Sequence, residues 1–358
     1  MLATLYALAR PALRRLDAET AHHLSIRALK HGPFCGKPAP DDPILATRVL
    51  GIDFPNPIGM AAGYDKDAEV MDALLAMGFG FTEAGTVTPL PQPGNPKPRL
   101  FRLDEDEAVI NRFGFNSQGL GPFVERLKAR RTAKRPGIVG ANVGKNKTST
   151  DAIADFVAGI EAVAPHANYL VVNISSPNTP GLRALQARDQ VEALLRAVLD
   201  TRNKVLAGTA LMPPLLVKIA PDLSEAELAD LAAVAISVGV DGLIAANTTI
   251  DRPASLRSPH RAEAGGLSGR PLLAKANACL AAMYRLTQGK LPMIGCGGVA
   301  TGDDAYAKIC AGASLVQVYS ALVFGGPGLA VRIKRELADR LRRDGFKSVS
   351  EAVGADHR

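Results

Sequence analysis

The sequence predicts an α/β fold: a (β/α)8 barrel with a small helical domain at its N-terminus. Eight short apolar runs alternate with amphipathic segments along the chain, and such runs are typical of parallel strands buried on both faces. Eight strand–helix units suit a closed barrel, whereas the alternative, a doubly wound sheet, usually has fewer units and a glycine-rich first turn. The 358 residues suffice for one barrel, and a hydrophobic share of 47% is ordinary for a folded protein.

The first part of the chain differs from the rest. Apolar residues from Leu5 to Leu16 recur with helical spacing, and arginines lie among them. Asp17 can cap a second helix, which should end at Gly32 and Pro33. This helical pair either packs on the main body or lies in a membrane interface with its arginines near lipid phosphates. No run is long and apolar enough to span a membrane, and the N-terminus lacks the charge pattern of a secretion signal.

The predicted barrel occupies residues 41–345, between a helical segment at 1–40 and a C-terminal tail at 346–358. Its strands are predicted at 57–63, 80–87, 137–144, 169–175, 215–220, 242–248, 292–297 and 315–320. Helices are predicted at 68–77, 151–164, 189–205, 224–238 and 271–286, and Ser224 with Glu227 forms a capping box for one of them. A proline-rich insertion at 88–136 should be ordered but not helical, and 251–266 should be a second, polar loop.

Polar residues follow the predicted strands, where barrel enzymes place their sites. Asparagine dominates, and its paired donor and acceptor suit the edge of an imide or amide ring. Few carboxylates and no histidine lie on this rim, which disfavours a glycosidase, a Ser-His-Asp hydrolase and a His-ligated metal site. The asparagines are Asn142, Asn173, Asn178 and Asn247, with Asn111 and Asn116 from the insertion.

Other features indicate an anionic ligand. Gly297 and Gly298 precede a helix, and backbone N–H groups at such a start bind phosphate. Lys218 ends an apolar strand, and Lys66 follows another, so each ammonium needs a partner. The net charge of +7 also permits a lipid surface or nucleic acid, but aromatic residues make up only 5%, which disfavours stacking on single-stranded nucleic acid.

Long motifs in this chain resemble class 2, quinone-dependent dihydroorotate dehydrogenases. They are AAGYDKD, GTVTPLPQPGNPKPRLFR, NRFGFNS, NISSPNTPGLR, VKIAPDLS, NTT, GGLSGRPL and GASLVQVYSALV. The resemblance covers about residues 3 to 337 and implies an FMN-bearing barrel that oxidises dihydroorotate to orotate in pyrimidine synthesis and passes electrons to a membrane quinone. It also implies peripheral attachment to the cytoplasmic face of the cell membrane through the N-terminal helices, with no metal and no nucleic acid.

The resemblance assigns roles to individual residues of this sequence. Ser176 matches the catalytic base and Lys66 lies at the substrate. Because a hydroxyl is a poor base on its own, we expect a proton relay through Thr179 or water toward solvent. Position 246, often threonine in relatives, is Ala246 here, so only a backbone contact to FMN could survive. The FMN residues would be Ala62, Gly63, Thr86, Asn142, Asn173, Lys218, Ala246, Gly269, Gly298, Tyr319 and Ser320. The substrate residues would be Lys66, Asn111, Arg112, Phe113, Gly114, Phe115, Asn173, Asn178, Asn247 and Thr248. The quinone residues would be His22, Arg102 and Tyr319.

Three rival interpretations differ from this one in specific ways. Class 1 enzymes of the same activity use a cysteine base and lack the N-terminal helical pair, so Ser176 and residues 1–32 favour class 2. A tRNA dihydrouridine synthase would need a cysteine in an active-site loop and a basic RNA-binding domain after the barrel, and neither is evident. A barrel that merely docks on membranes would hold no flavin and would be colourless.

Overall fold

The computed structural model describes residues 6, 11, 13–32 and 40–358. Its centre is a closed barrel of eight parallel strands that contains every strand predicted from the sequence. The strands within the described residues are β1 Thr47–Val49, β2 Ile52–Phe54, β3 Ile58–Met60, β4 Phe81–Val87, β5 Leu100–Leu103, β6 Ala108–Asn111, β7 Ile138–Val143, β8 Tyr169–Asn173, β9 Leu215–Ile219, β10 Gly242–Ala245, β11 Gly266–Gly269, β12 Met293–Cys296 and β13 Leu315–Val318. The barrel consists of β3, β4, β7, β8, β9, β10, β12 and β13, and β13 closes it by pairing with β3.

Helices surround the barrel and pack their apolar faces on its strands. The helices in the described residues include α1 Ala18–His31, α2 Met71–Ala76, α3 Leu120–Thr132, α4 Ala152–Val163, α5 Arg188–Val205, α6 Glu225–Val238, α7 Leu273–Leu286, α8 Gly302–Cys310, α9 Ser320–Gly325, α10 Leu329–Arg343 and α11 Val349–Ala352. The predicted capping box of Ser224 and Glu227 starts α6. A second capping box, formed by Thr301 and Asp304, starts α8 directly after the glycine pair.

Helix α1 is the second helix of the predicted N-terminal pair. The Asp17 side chain accepts a hydrogen bond from Thr20 N at 2.9 Å, and Gly32 ends the helix, so both predicted boundaries are confirmed. Most of the first predicted helix lies outside the described residues. Within the described residues, no helix combines the length and the apolar character needed to cross a bilayer.

The amino end of the barrel is closed by the β1–β2 hairpin. Phe54 from the hairpin meets Phe81 edge to ring, with centroids 5.3 Å apart. Both belong to a buried cluster at that end, which also contains Tyr169 and Leu216. A ligand must therefore reach the barrel from the opposite, carboxyl end.

The insertion at 88–136 is partly different from the prediction. Its proline-rich part is ordered and non-helical, and it leads into β5 and β6, which form a three-stranded antiparallel sheet with β11 over the carboxyl end. The prediction missed helix α3. This helix has no side-chain N-cap, follows Gly119 at positive φ, and buries only Phe123 and Leu127. A basic helix with so small an apolar face gives little periodic signal.

Two other predicted segments also differ in detail. Helix α2 begins three residues later than predicted, because the Asp65 carboxylate accepts hydrogen bonds from Glu69 N (2.7 Å) and Val70 N (2.9 Å) and holds a turn there. The predicted C-terminal tail contains α11, and its Val349 and Ala352 are fully buried. The tail therefore packs on the barrel.

Candidate active site

A single cavity of about 1170 Å³ runs from helix α1 to the carboxyl ends of the barrel strands. Its outer wall includes Ala21, His22 and Ser25 of α1. Its inner end is lined by Asn173 and Lys218, which are the last residue of β8 and the fourth of β9. Parallel strands bring these positions together because their carboxyl ends share one rim.

Most of the residues assigned from the sequence line this cavity. The residues from the predicted FMN set are Ala62, Gly63, Thr86, Asn173, Lys218, Ala246, Gly269, Gly298, Tyr319 and Ser320. Those from the predicted substrate set are Lys66, Asn111, Phe113, Gly114, Phe115, Asn178, Asn247 and Thr248. Ser176, His22 and Arg102 also line the cavity.

Three assigned residues lie outside that lining. Asn142 is fully buried behind the wall, where its Oδ1 accepts a hydrogen bond from Thr86 Oγ1 of the cavity lining. Arg112 turns to a smaller surface pocket, where it pairs with Glu263 at 2.8 Å. Thr179 is buried, and its Oγ1 has no hydrogen-bond partner among the residues that the structure describes. The structure therefore gives Arg112 a contact that competes with any role at the substrate.

Two lysines face the cavity. Lys218 is buried, and its ammonium forms no hydrogen bond or ion pair with any described residue. Lys66 Nζ lies 4.1 Å from the ring centroid of Phe113, and burial lowers the pKa of Lys66 to about 8. An unpaired ammonium in such a place is costly unless a ligand supplies an acceptor or negative charge, so both lysines indicate an electron-rich ligand.

The loop after β12 is shaped for close approach of a ligand. Gly298 has φ +82°, and a Cβ there would overlap the backbone of Leu273. The backbone N–H groups of Gly298 and Val299 have no acceptor among the described residues. Free N–H groups at such a turn can bind a phosphate. At Ala246, by contrast, the N–H donates to Cys296 O at 3.0 Å, which leaves the carbonyl as its free backbone group.

Ser176 lies on the loop that follows β8. Its Oγ accepts a hydrogen bond from Asn178 N at 3.3 Å, and its hydroxyl hydrogen has no acceptor among the described residues. Arg183 holds the loop: its guanidinium donates to Ser175 O (3.0 Å) and Thr248 O (3.0 Å) and pairs with Asp222 at 2.8 Å. Sequence reasoning missed this role of Arg183, because its partners are distant in the chain.

Three aromatic rings connect α1 with the inner cavity. His22 meets Tyr64 with ring centroids 5.4 Å apart, and Tyr64 meets Tyr319 at 5.7 Å. Tyr64 Oη and Ser25 Oγ share a hydrogen bond of 3.0 Å. Burial, reinforced by the charge of Lys66, lowers the pKa of His22 well below its usual range. Tyr64 and Ser25 were not predicted, since only the packing of α1 on the barrel reveals them.

Two arginines attach the N-terminal segment to the insertion. Arg102 donates to Arg14 O (2.7 Å) and Leu16 O (2.5 Å). Buried Arg99 pairs with buried Glu19 of α1 at 2.8 Å, and it also donates to the carbonyls of residues 93 and 95. The position of α1 is thereby coupled to the loop that carries Asn111 to Phe115.

Residues 44–341 match the family model described as dihydroorotate dehydrogenase. The chain belongs to the dihydroorotate dehydrogenase family. It is 62% identical to the dihydroorotate dehydrogenase (quinone) of Azorhizobium caulinodans over 99% of both chains, and 62% identical to the enzyme of that name from Xanthobacter autotrophicus, again over 99% of both. It is therefore an oxidoreductase of the quinone-dependent class, as the motifs predicted.

Solved structures agree with this assignment. The dihydroorotate dehydrogenase of Eimeria tenella in complex with ferulenol superimposes with a TM-score of 0.92 at 44% identity, over 96% of each chain. The ligand-free form of that dihydroorotate dehydrogenase also gives 0.92, at 45% identity. The predicted (β/α)8 barrel is thus confirmed. In the described part of this family member, no group of three or more His, Cys, Asp or Glu side chains could hold a metal ion.

Proposed function

We propose that this enzyme binds FMN, oxidises dihydroorotate to orotate in pyrimidine biosynthesis, and delivers the electrons to a membrane quinone. The observation that carries the proposal is the continuous cavity from the inner ends of the barrel strands to helix α1. One end of it presents amides and lysines suited to a heterocycle and a carboxylate. The other end opens beside a surface helix, where an apolar acceptor could enter.

The residues around the inner cavity fit FMN. Lys218 is a buried cation without a partner in the described part of the chain, which suits a ring that gains negative charge on reduction. The free N–H groups at Gly298 and Val299 suit the phosphate. Bound FMN would supply the acceptor for a hydride and a two-electron carrier between the two substrates.

The substrate would lie against the asparagines and Lys66. Asn178 Nδ2 donates to Asn111 O at 3.1 Å, and Asn247 Nδ2 donates to Ser175 Oγ at 2.9 Å. These hydrogen bonds hold each amide in one orientation and leave further donor and acceptor positions for a ligand. Fixed amides would orient the ring of dihydroorotate, and the Lys66 ammonium would attract its carboxylate, an effect of positioning rather than of chemistry.

Ser176 would remove the proton from C5 of dihydroorotate. A hydroxyl is a weak base, so its own proton must pass onward as the new one arrives. Thr179 Oγ1 is buried and has no hydrogen-bond partner within the described ranges, which makes it available to a relay toward solvent. The two hydroxyls share no hydrogen bond in the described structure, so a water molecule or a small loop movement would complete the relay.

The quinone would approach through the outer cavity, from a membrane that the N-terminal helices contact. Leu24 and Val323 line the mouth and are exposed by 39% and 37%. Arg14 and Arg15 are exposed on the same segment, where they can reach lipid phosphates. His22, Tyr64 and Tyr319 lie between this mouth and the inner cavity. We place this peripheral contact on the cytoplasmic face of the cell membrane.

The proposal is tested by the colour and turnover of the purified protein. We expect a yellow protein that reduces a quinone analogue when dihydroorotate is added, with little or no turnover when fumarate or NAD replaces the quinone. Absorbance of the flavin and of orotate measures both outcomes. A colourless protein that cannot be reconstituted with FMN would contradict the proposed function.

The pH dependence of kcat/KM for dihydroorotate should reflect the ionisation of Lys66. Because its pKa is about 8 in the free enzyme, it is charged below that pH and neutral above it. Attraction of the substrate carboxylate is therefore lost as pH rises through about 8, and kcat/KM for dihydroorotate should fall. Lys66→Met should lower kcat/KM at pH 7 by about tenfold or more and remove the alkaline fall. Lys347→Met, at an exposed site, is the matched control, and persistence of the fall in Lys66→Met would reject this assignment.

A further inference from the structure

Glu83 is a buried carboxylate inside the barrel, behind the cavity wall. It lies on β4 and is fully buried. Its Oε1 accepts from Asn142 Nδ2 at 2.7 Å, and its Oε2 accepts from Gln317 Nε2 at 2.6 Å and Tyr169 Oη at 3.2 Å. Three donors converge on two oxygens, so the carboxyl acts purely as an acceptor.

A chain of hydrogen bonds leads from the cavity wall to this carboxylate. Asn247 Nδ2 donates to Ser175 Oγ (2.9 Å), and Ser175 Oγ donates to Asn173 Oδ1 (2.8 Å). Asn173 Nδ2 donates to Thr86 Oγ1 (2.9 Å), and Thr86 Oγ1 donates to Asn142 Oδ1 (2.6 Å). Each residue in this chain donates to the next one toward Glu83, and the last hydrogen bond is the one from Asn142 Nδ2 to the carboxylate.

The direction of this chain is imposed by its last member. A carboxylate acceptor obliges Asn142 to turn its NH2 group inward and its Oδ1 toward Thr86. Thr86 must then give its one hydrogen to that oxygen, so the hydroxyl can offer only a lone pair to the cavity. Asn173 offers the cavity a donor instead of an acceptor. Its Oδ1 already accepts from Ser175 N (3.2 Å) and Ser175 Oγ, so its remaining free group is an N–H.

We propose that Glu83 is a positioning residue that makes Thr86 an acceptor at the cavity wall, beside Asn173, whose own bonds with Ser175 leave it a donor. A hydrogen-bond acceptor at Thr86 next to a donor at Asn173 favours a ligand edge that carries an N–H beside a carbonyl. The pyrimidine ring of a flavin has such an edge, and the inference therefore rests on the proposed FMN site. The carboxylate also holds Gln317, which lines the cavity, but it sets the acceptor role of Thr86 through Asn142.

Without the Glu83 carboxylate, the orientation of the Asn142 amide would no longer be fixed. In Glu83→Met, the Asn142 amide can rotate and donate to Thr86 Oγ1, which already accepts from Asn173 Nδ2. The Thr86 hydrogen would then turn into the cavity and oppose the N–H of the ligand. Glu83→Gln behaves differently, because its carbonyl oxygen can still accept from Asn142. Its NH2 can donate to Gln317 Oε1 after a side-chain rotation, and that buried oxygen has no partner among the residues described.

The test compares three variants by the affinity of each apoprotein for FMN, measured by flavin fluorescence quenching, with the flavin midpoint potential as a second readout. Glu83→Met should raise the Kd for FMN about tenfold or more and shift the potential. Glu83→Gln should restore the Kd to within about threefold of the wild type. Tyr169→Phe removes a donor to Oε2 and leaves the Asn142 contact intact, so it should lower thermal stability without changing the Kd.

Three results would overturn the proposal: wild-type affinity in Glu83→Met, an equal loss in Glu83→Gln, or an equal loss in Tyr169→Phe. An equal loss in Glu83→Gln would mean that the charge of Glu83 matters, and an equal loss in Tyr169→Phe would mean that general packing does.

If Glu83→Met does not fold, Thr86→Val should weaken FMN binding about tenfold and Thr86→Ser should recover most of it. Unchanged FMN binding by Thr86→Val would equally reject the proposal. A wild-type apoprotein that binds no FMN contradicts the proposed function itself, which separates the two failures.

Discussion

Replacing Ser176 with alanine should slow the reduction of bound FMN by dihydroorotate by about 10²- to 10⁴-fold, the usual range for loss of a general base. The Ser176 hydroxyl faces the cavity, and the substitution removes one oxygen whose hydrogen bond in the described structure comes from Asn178 N at 3.3 Å. FMN content should therefore stay at the wild-type level. Anaerobic stopped-flow absorbance of the flavin measures the rate, and the spectrum before mixing measures the bound FMN.

Two further variants sharpen this result. Thr179→Ala should slow the same step by about tenfold if its unpartnered hydroxyl relays the proton. Ser237→Ala, on the outer helix α6 with its Oγ bonded to Val234 O, should match the wild type. Undiminished flavin reduction in Ser176→Ala would refute its role as the base.

Deleting residues 1–32 should reduce quinone turnover by about two orders of magnitude or more while dihydroorotate still reduces the flavin, because α1 forms the outer cavity wall. The deletion removes Glu19, the ion-pair partner of Arg99, together with the helix that covers it, so the guanidinium becomes accessible to water. Arg99 is kept in the deletion variant because it also donates to the carbonyls of residues 93 and 95. Steady-state reduction of a quinone analogue and single-turnover flavin reduction, measured on the same sample, separate the two half-reactions.

A point variant tests the same surface in the intact chain. Leu24→Glu places a charge at the exposed mouth of the cavity and should reduce co-flotation with anionic lipid vesicles several-fold. Ile236→Glu is its matched control, since Ile236 is exposed to a similar extent, 43%, on barrel helix α6. Full quinone turnover after the deletion, or equal flotation of both point variants, would exclude the proposed docking surface.

Local chemistry accounts for the features that the sequence could predict. The eight strands are short, apolar and regularly spaced, so their number and order predict the barrel. Asp17, Ser224 and Glu227 mark helix starts through contacts with residues only a few positions away. The position of polar residues at the strand ends predicts the rim on which the site lies. Helix α3 was missed because its start has no such local signal.

Contacts between distant parts of the chain account for the rest. Arg112 matches a substrate motif, yet a carboxylate 151 positions away draws it into another pocket. Tyr64 gains its place between His22 and Tyr319 only when α1 packs on the barrel.

Nothing in the sequence distinguishes Glu83 from its neighbours in an apolar strand. Its hydrogen-bond donors come from β7, β8 and β13. Residue types and spacing thus specify the barrel and its polar rim, because these depend on periodicity and on neighbours in sequence. Which side chains face the cavity, and which way their hydrogen bonds run, depends on closure of the barrel, because only closure brings those donors and acceptors within bonding distance.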